Sequence, residues 1–279
     1  LNARCGRTAL RASLALASAL ALLGCATRSI PRVAAPPRPP RAASLEEVLE
    51  AYDGYCKGLA TLGASGDLDV KDLRAGKERK LGVRLAAARG GRLYLKGTFL
   101  FVTAIEIVAD GARFWFQVPS RKTVWTGASE QAPAAEGDDH APYYALRPKD
   151  VTAALLPEPL TPSHGEFVTL DADSDSFALT LADVDFRGRG VARRRVVLER
   201  ERLRPLSTRS YDARGDLVSE TTLDDYRDGA PHRLLIRRPG EGYVADFALD
   251  TVEVNAAVPE RAFVPRTPEG YKLIEVGKP

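Results

Sequence analysis

The stretch Arg79–Val118, RKLGVRLAAARGGRLYLKGTFLFVTAIEIVADGARFWFQV, decides the fold. It divides into runs of alternating, β-branched or aromatic residues at Arg79–Ala88, Arg92–Thr98, Ala104–Ala109 and Arg113–Val118, with breaks at Arg89-Gly90-Gly91 and Asp110-Gly111. Successive side chains of a strand point to opposite faces, so alternation bounded by glycine and aspartate reads as half-buried strands joined by tight turns. The pattern extends outward in both directions. Leu62–Leu73 precedes it and Thr123–Thr126 follows Pro119-Ser120. A second series covers Glu166–Asp171, Ser176–Leu181, Gly190–Glu199, Arg204–Tyr211, Leu217–Tyr226, His232–Arg238 and Gly242–Val254. Short strands at this spacing predict a mainly β (α+β) domain of antiparallel meanders that close, or nearly close, into a barrel.

Two helices interrupt the strands. In Ser44–Leu59, the residues Leu45, Val48, Leu49, Tyr52, Cys56 and Leu59 recur at helical spacing on one face, and Ser44 with Glu47 supplies a capping box. A shorter helix is expected from Pro148 to Leu156, stopped by Pro157 and Pro159 because proline has no amide hydrogen to donate. The polar stretch 127–142, with Glu136-Gly137-Asp138-Asp139 at its centre, reads as a surface loop.

The first residues carry a different message. Arg4, Arg7 and Arg11 precede an uncharged run from Ala12 to Leu23, the profile of a secretory signal. That run falls short of the roughly 20 residues a helix needs to cross the hydrocarbon core. Its end, Leu22-Leu23-Gly24-Cys25, resembles the lipobox of bacterial lipoproteins, so residues 1–24 are expected to be removed and Cys25 to become an acylated N-terminus. Each buried methylene of such a lipid contributes about 0.8 kcal/mol of anchoring. Ala26 stands where an aspartate holds lipoproteins of enteric bacteria in the inner membrane, so the resemblance implies a lipid anchor in the outer membrane with the domain facing the periplasm. Residues 25–43 hold five prolines, four arginines and no acid, a composition that favours an extended tether rather than a core. Residues 44–279 are then the folded domain.

Charge excludes one class of function. The chain has 40 basic and 37 acidic residues, but without the three arginines of the signal and the four of the tether, residues 44–279 hold 33 basic against 37 acidic. A net charge of −4 gives nucleic-acid binding no electrostatic basis. Cys56 is the one cysteine of residues 44–279 and reads as a small buried apolar residue. His140, His164 and His232 show no metal-type spacing. Asp171-Ala172-Asp173-Ser174-Asp175 lacks the glycine and glutamate of a calcium loop and reads as a hairpin turn. No catalytic set is expected, no metal, and no cofactor beyond the covalent lipid on Cys25.

The order of elements resembles the outer-membrane lipoprotein carrier and its anchored receptor, the LolA/LolB-like superfamily. The residues that carry the likeness are the helix Ser44–Leu59, Gly66-Asp67-Leu68-Asp69-Val70, Ala109-Asp110-Gly111-Ala112-Arg113-Phe114-Trp115-Phe116, Leu146-Arg147-Pro148-Lys149-Asp150-Val151, and the closing segment from Asn255 to Tyr271. The resemblance implies a half-open antiparallel β-barrel of about 11–12 strands, with an N-terminal helix and a short central helix in its mouth. It also implies a monomer that binds lipid or acylated lipoprotein in a hydrophobic half-barrel cavity and acts in envelope lipid or lipoprotein transport or acceptance. The alternative is a non-catalytic envelope sensor or assembly scaffold on the same fold. The chain departs from the family in its acidic 127–142 loop and in lacking a recognisable lipoprotein-gripping motif.

Apolar residues are therefore the candidate site. Phe99, Leu100, Phe101, Trp115 and Trp125 are candidates for ligand or membrane contact, and Leu45, Val48, Leu49 and Tyr52 for a lid helix. The run Phe99-Leu100-Phe101-Val102 reads as barrel core, as cavity lining, or as a projecting membrane tip. Arg187, Arg189, Arg193, Arg194 and Arg195 read as strand-edge charges, with a lipid phosphate or carboxylate as the other reading. Cys25→Ser is expected to abolish incorporation of labelled palmitate and release the domain from membranes; palmitate retained without Cys25 would contradict the lipobox reading.

Overall fold

The first meander in the computed structural model contains β1 (Thr61–Asp72), β2 (Lys77–Ala88), β3 (Arg92–Phe99), β4 (Val102–Asp110), β5 (Arg113–Val118) and β6 (Thr123–Ala128). The second contains β7 (Glu166–Ala172), β8 (Ser176–Val184), β9 (Gly190–Glu199), β10 (Pro205–Tyr211), β11 (Leu217–Arg227), β12 (Ala230–Arg238) and β13 (Tyr243–Val254). The structure describes residues 41–133, 142–184 and 188–277. Cys25 and the tether up to residue 40, His140 with the centre of the acidic loop, and Arg187 lie outside the described residues. Residues 40–279 form one unit with its own core.

Every segment with strand alternation is a strand, and one more exists. β14 (Lys272–Glu275) lies parallel to β6, pairing Lys272 with Thr123 and Glu275 with Thr126. The sheet thus has 14 strands rather than 11–12, in the order β14-β6-β5-β4-β3-β2-β1-β13-β12-β11-β10-β9-β8-β7. Its central seam joins β1 to β13 from Leu62–Val254 to Asp72–Tyr243, which fuses the two meanders into one sheet. β14 and β7 are its two ends, so the barrel is open.

Alternation sorts the side chains by face. Leu81, Val83, Leu85 and Ala87 of β2, Leu93 and Leu95 of β3, Ile105 and Ile107 of β4, and Phe114 and Phe116 of β5 all turn into one buried cluster. Burying each such side chain contributes about 1.5–3 kcal/mol. The second helix, α2 (Pro148–Leu155), covers this concave face with Val151, Ala154 and Leu155, residues three and four apart on one side of the helix.

The first helix, α1 (Leu45–Gly58), packs elsewhere. Val48, Tyr52 and Cys56 meet Phe177, Leu179, Leu181, Val196 and Leu198 of β8 and β9 in a second cluster, with Leu45 and Leu49 half-buried at its margin. Ser44 accepts a hydrogen bond from the Glu47 amide, as a capping residue should, but the Glu47 carboxylate turns outward to Arg41. At the other end Asn255 donates to the Gly58 carbonyl and accepts from the Ala60 amide. Burial pushes the Cys56 thiol up to about 11 and away from reactivity.

Candidate ligand site and its lid

α2 is only 8 residues long, yet it closes the apolar bowl. Pro148 starts it, where a missing amide hydrogen costs nothing, and Pro157 and Pro159 follow its end. Beneath it, Val151, Ala154 and Leu155 meet Leu234, Ile236 and Phe247 so closely that no water-sized space remains. The seam between α2 and these strands is therefore filled by the protein's own side chains.

Both ends of α2 are tied down by arginines, in different ways. At the N-terminal end, Arg238 Nη1 donates to both carboxylate oxygens of Asp150, at 3.1 and 2.9 Å, and its Nε donates to Glu241 at 2.9 Å. Arg147 Nη1 completes the quartet, donating to both oxygens of Glu241 at 2.6 Å. The Arg238 and Asp150 side chains are each 13% exposed. Burial works against charge on Arg238, but Asp150 and Glu241 outweigh it and hold its pKa above the ordinary value. Burial likewise works to raise Glu241, and hydrogen bonds from Arg147 and Arg238 overcome it and lower its pKa. Removing one partner of so enclosed a pair costs about 3–5 kcal/mol, because the other charge is left uncompensated.

At the C-terminal end the tie is Arg89, in the turn after β2. Its Nη1 donates to the Pro157 carbonyl at 2.7 Å and to Leu156 at 3.4 Å, while Nε donates to Leu59 at 2.7 Å and Nη2 to the Cys56 carbonyl. One guanidinium thus gathers carbonyls at the C-terminal ends of both helices, where orphan acceptors and the helix dipole favour a cation.

Beside α2 lies a cleft of about 500 Å³. Lys149, Thr152, Ala153 and Leu156 form its helix side, Arg194 of β9 with Thr208 and Ser210 of β10 line it as well, and Arg89 and Gly90 lie at the barrel rim.

The hairpin joining β3 to β4 is the other unusual feature. Phe99 pairs with Val102, so Leu100 and Phe101 make a two-residue turn with φ of 47° and 68°. Turns of this handedness ordinarily use Asn-Gly, since bulky residues in the left-handed region are strained by about 1–3 kcal/mol each. The turn is nonetheless apolar and bare: Phe99 is 55% exposed, Leu100 75%, Phe101 103% and Val102 69%. Phe99 and Leu100 also wall a second cleft, of about 460 Å³, with Asp67, Asp69, Lys80 and Arg233.

The structure separates the residues that the sequence singled out. Phe99, Leu100 and Phe101 form the exposed tip rather than barrel core, and Phe99 and Leu100 also line the 460 Å³ cleft beside it. Trp125 is buried, edge-on to Phe116 at 6.4 Å and to Tyr144 at 5.3 Å. Trp115 alternates to the opposite face from Phe114 and Phe116 and is half-buried. Leu45, Val48, Leu49 and Tyr52 sit on the β8–β9 wing, while the helix over the bowl is α2. Arg193 is held by Asp183, Arg195 by Asp171 at 2.8 Å, and Arg194 by the Pro159 carbonyl. Asp171–Asp175 turns the β7–β8 hairpin, the Asp173 amide donating to Ser176 at 2.9 Å. Sequence reasoning missed Arg89 and the quartet, although Arg147 and Asp150 lie in a stretch that carried the family resemblance. Among the described residues no group of histidine, cysteine and carboxylate side chains is arranged to hold a metal ion, and no helix is long and apolar enough to cross a membrane.

With this geometry in view, comparison with solved structures identifies the fold. No protein-family description and no curated protein matches the sequence. Among solved structures, a LolA superfamily protein from Nitrosomonas europaea matches 80% of this chain and 99% of its own, with a TM-score of 0.50 at 12% identity. A DUF1329 family protein from Desulfovibrio piger matches 77% of this chain and 94% of its own, with a TM-score of 0.49 at 13% identity. The chain shares the open β-barrel fold of that LolA superfamily protein.

The tip makes a direct prediction. Replacing Leu100→Asn and Phe101→Gly together supplies the residues that the turn geometry prefers, so the double variant is expected to gain about 1–2 kcal/mol in urea unfolding. A loss of stability would show that the tip packs against something in the folded protein.

Proposed function

We propose that the protein is an outer-membrane-anchored lipoprotein whose half-barrel receives acyl chains from lipid or acylated lipoprotein, in envelope lipid or lipoprotein transport or acceptance. The observation that carries this reading is the apolar concave face covered by a separate eight-residue helix held by polar ties at its ends. A cover that lifts exposes Leu234, Ile236, Phe247 and their neighbours, and each methylene of an acyl chain laid against them contributes about 0.8 kcal/mol. No catalytic group is required.

The bare tip fits the same reading. Strain and exposure both destabilise a free soluble protein, and both are offset if Phe99, Leu100 and Phe101 insert into the interface of a bilayer held near by the lipid on Cys25. The same Leu100→Asn, Phe101→Gly variant is then expected to sediment less with liposomes.

A second reading has one observation in its favour. The filled seam under α2 suits a sensor or scaffold that uses the fold without carrying anything. Native mass spectrometry and lipid extraction of residues 40–279 purified from a bacterial periplasm separate the two. Reproducible copurification of lipid or acylated peptide is expected. A ligand-free domain that also ignores added fluorescent fatty acid would overturn carriage and leave the sensor or scaffold.

A further inference from the structure

The outer face of the sheet carries a groove that the bowl does not use. Along β2 the side chains alternate, so Leu81, Val83 and Leu85 turn to the core while Gly82 and Arg84 turn outward. Gly82 pairs with Thr98 on β3, and a Cβ at position 82 would stand 3.3 Å from the Thr98 hydroxyl oxygen. The floor of the groove is therefore bare. Two cavities of about 460 Å³ each meet over Gly82 and Thr98. One runs toward the β3–β4 tip and is walled by Phe99 and Leu100, whereas the other runs away from it and is lined by Ser65, Arg84, Lys96 and Asp250.

The two compartments differ in charge. Beside the tip, Lys80 meets Asp69 at 3.9 Å and Arg233 meets Asp246 at 2.8 Å, so the cations there have counter-ions. Beyond Thr98, Arg84 and Lys96 stand directly opposite each other on β2 and β3, and neither side chain makes an ion pair or hydrogen bond among the described residues. Glu106 is the register partner of Lys96 on β4, and Asp250 lines the same cavity, yet neither carboxylate pairs with the two cations. Like charges directly opposite on neighbouring strands are destabilising, with Cβ atoms only about 4.5–5.5 Å apart. At that spacing two cations can converge on one phosphoryl group, and charge-assisted hydrogen bonds to it offset their repulsion. Counting Asp250, the cavity keeps a surplus positive charge, which favours a headgroup that has no cation of its own.

Position along the strand supplies the source of that group. Phe99 follows Lys96 by three residues, about 10 Å at roughly 3.3 Å per residue. Apolar groups of interfacial proteins sink about 5–10 Å into the boundary between headgroups and acyl chains. A tip inserted as far as Phe99 thus brings Arg84 and Lys96 to the level of the lipid phosphates.

We propose that the Arg84–Lys96 cavity binds the phosphate of an anionic phospholipid in the bilayer that the tip enters, with the glyceryl end of the lipid directed past Gly82 and Thr98 toward Phe99 and Leu100. The inference rests on the tip-insertion reading and adds to it a headgroup site on the opposite face of the sheet from the bowl. Its effect is to fix which way the domain stands on the membrane, since the tip alone allows rotation and a second contact on one side of it does not.

The test is sedimentation of residues 40–279 at low salt with vesicles of phosphatidylcholine, or of phosphatidylcholine and phosphatidylglycerol in equal parts. The protein is expected to bind the mixed vesicles at least about ten-fold more tightly, the gain that two lysine or arginine side chains provide at an anionic surface. Arg84→Gln with Lys96→Gln is expected to bind phosphatidylcholine as before and to lose most of that gain. Glutamine keeps much of the side-chain length and removes a like-charge repulsion, so the urea midpoint of this variant is expected not to fall. Arg79→Gln with Lys122→Gln removes two exposed cations outside the groove and is expected to keep most of the gain.

Equal losses in the two double variants would assign the gain to surface charge in general and overturn the site. Equal binding of the unaltered protein to both vesicles would also overturn it, while leaving tip insertion intact. Binding to neither vesicle would remove the tip-insertion reading and the headgroup site with it. Calorimetric titration with inorganic phosphate, without vesicles, is expected to give no binding at millimolar concentration. Submillimolar binding that Arg84→Gln with Lys96→Gln abolishes, together with no preference between vesicles, would assign the cavity to a free anion and overturn the lipid.

Discussion

The concave face of the sheet is apolar from β2 through β5 and again on β12 and β13, and water cannot be left against it. The seam between β1 and β13 creates that face by bending two meanders into one sheet, and the open ends at β14 and β7 prevent the sheet from sealing it. Something else must cover it. α2 does so with Val151, Ala154 and Leu155, joined by Leu156 after it and Tyr144 and Leu146 before it, and a helix of 8 residues is too short to stand without further contacts. The arginine ties at its ends follow from that shortage.

The ties and the packing close the bowl together: the quartet and the Arg89 fan are both made, and the seam beneath α2 is dry. α1 serves the fold differently. Its apolar face is buried on the β8–β9 wing, and Asn255 and Arg89 fix its C-terminal end.

Much of the fold is legible in the sequence because alternation is a local signal. Most strands, β2, β3 and β5 among them, carry their own period of two, and Ser44–Leu59 carries its own helical period. β14 is not legible, since Lys-Leu-Ile-Glu is too short to show a period and is extended only because β6 offers it an edge. The face of α1 is readable, but its destination is not, because periodicity says which side is apolar and nothing of what that side meets. The run Phe99–Val102 breaks alternation just after the register shift between Gly97 and Thr98, and only the turn geometry shows that it projects. Composition groups Trp115 with Phe114 and Phe116, whereas the pleat sends it to the other face. The quartet joins residues 88 and 94 positions apart, so no local pattern could announce it.

An acyl chain in the bowl must lie where α2 now lies, and photolabelling shows this most directly. A palmitate bearing a diazirine near its methyl end is irradiated with residues 40–279, and the labelled peptides are mapped by mass spectrometry. Label on Leu234, Ile236 or Phe247, together with the underside of α2 at Val151 or Leu155, is the expected result. Label confined to the tip at Phe99–Val102 or to the outer face around Trp115, with none beneath α2, would contradict a lidded acyl-binding bowl.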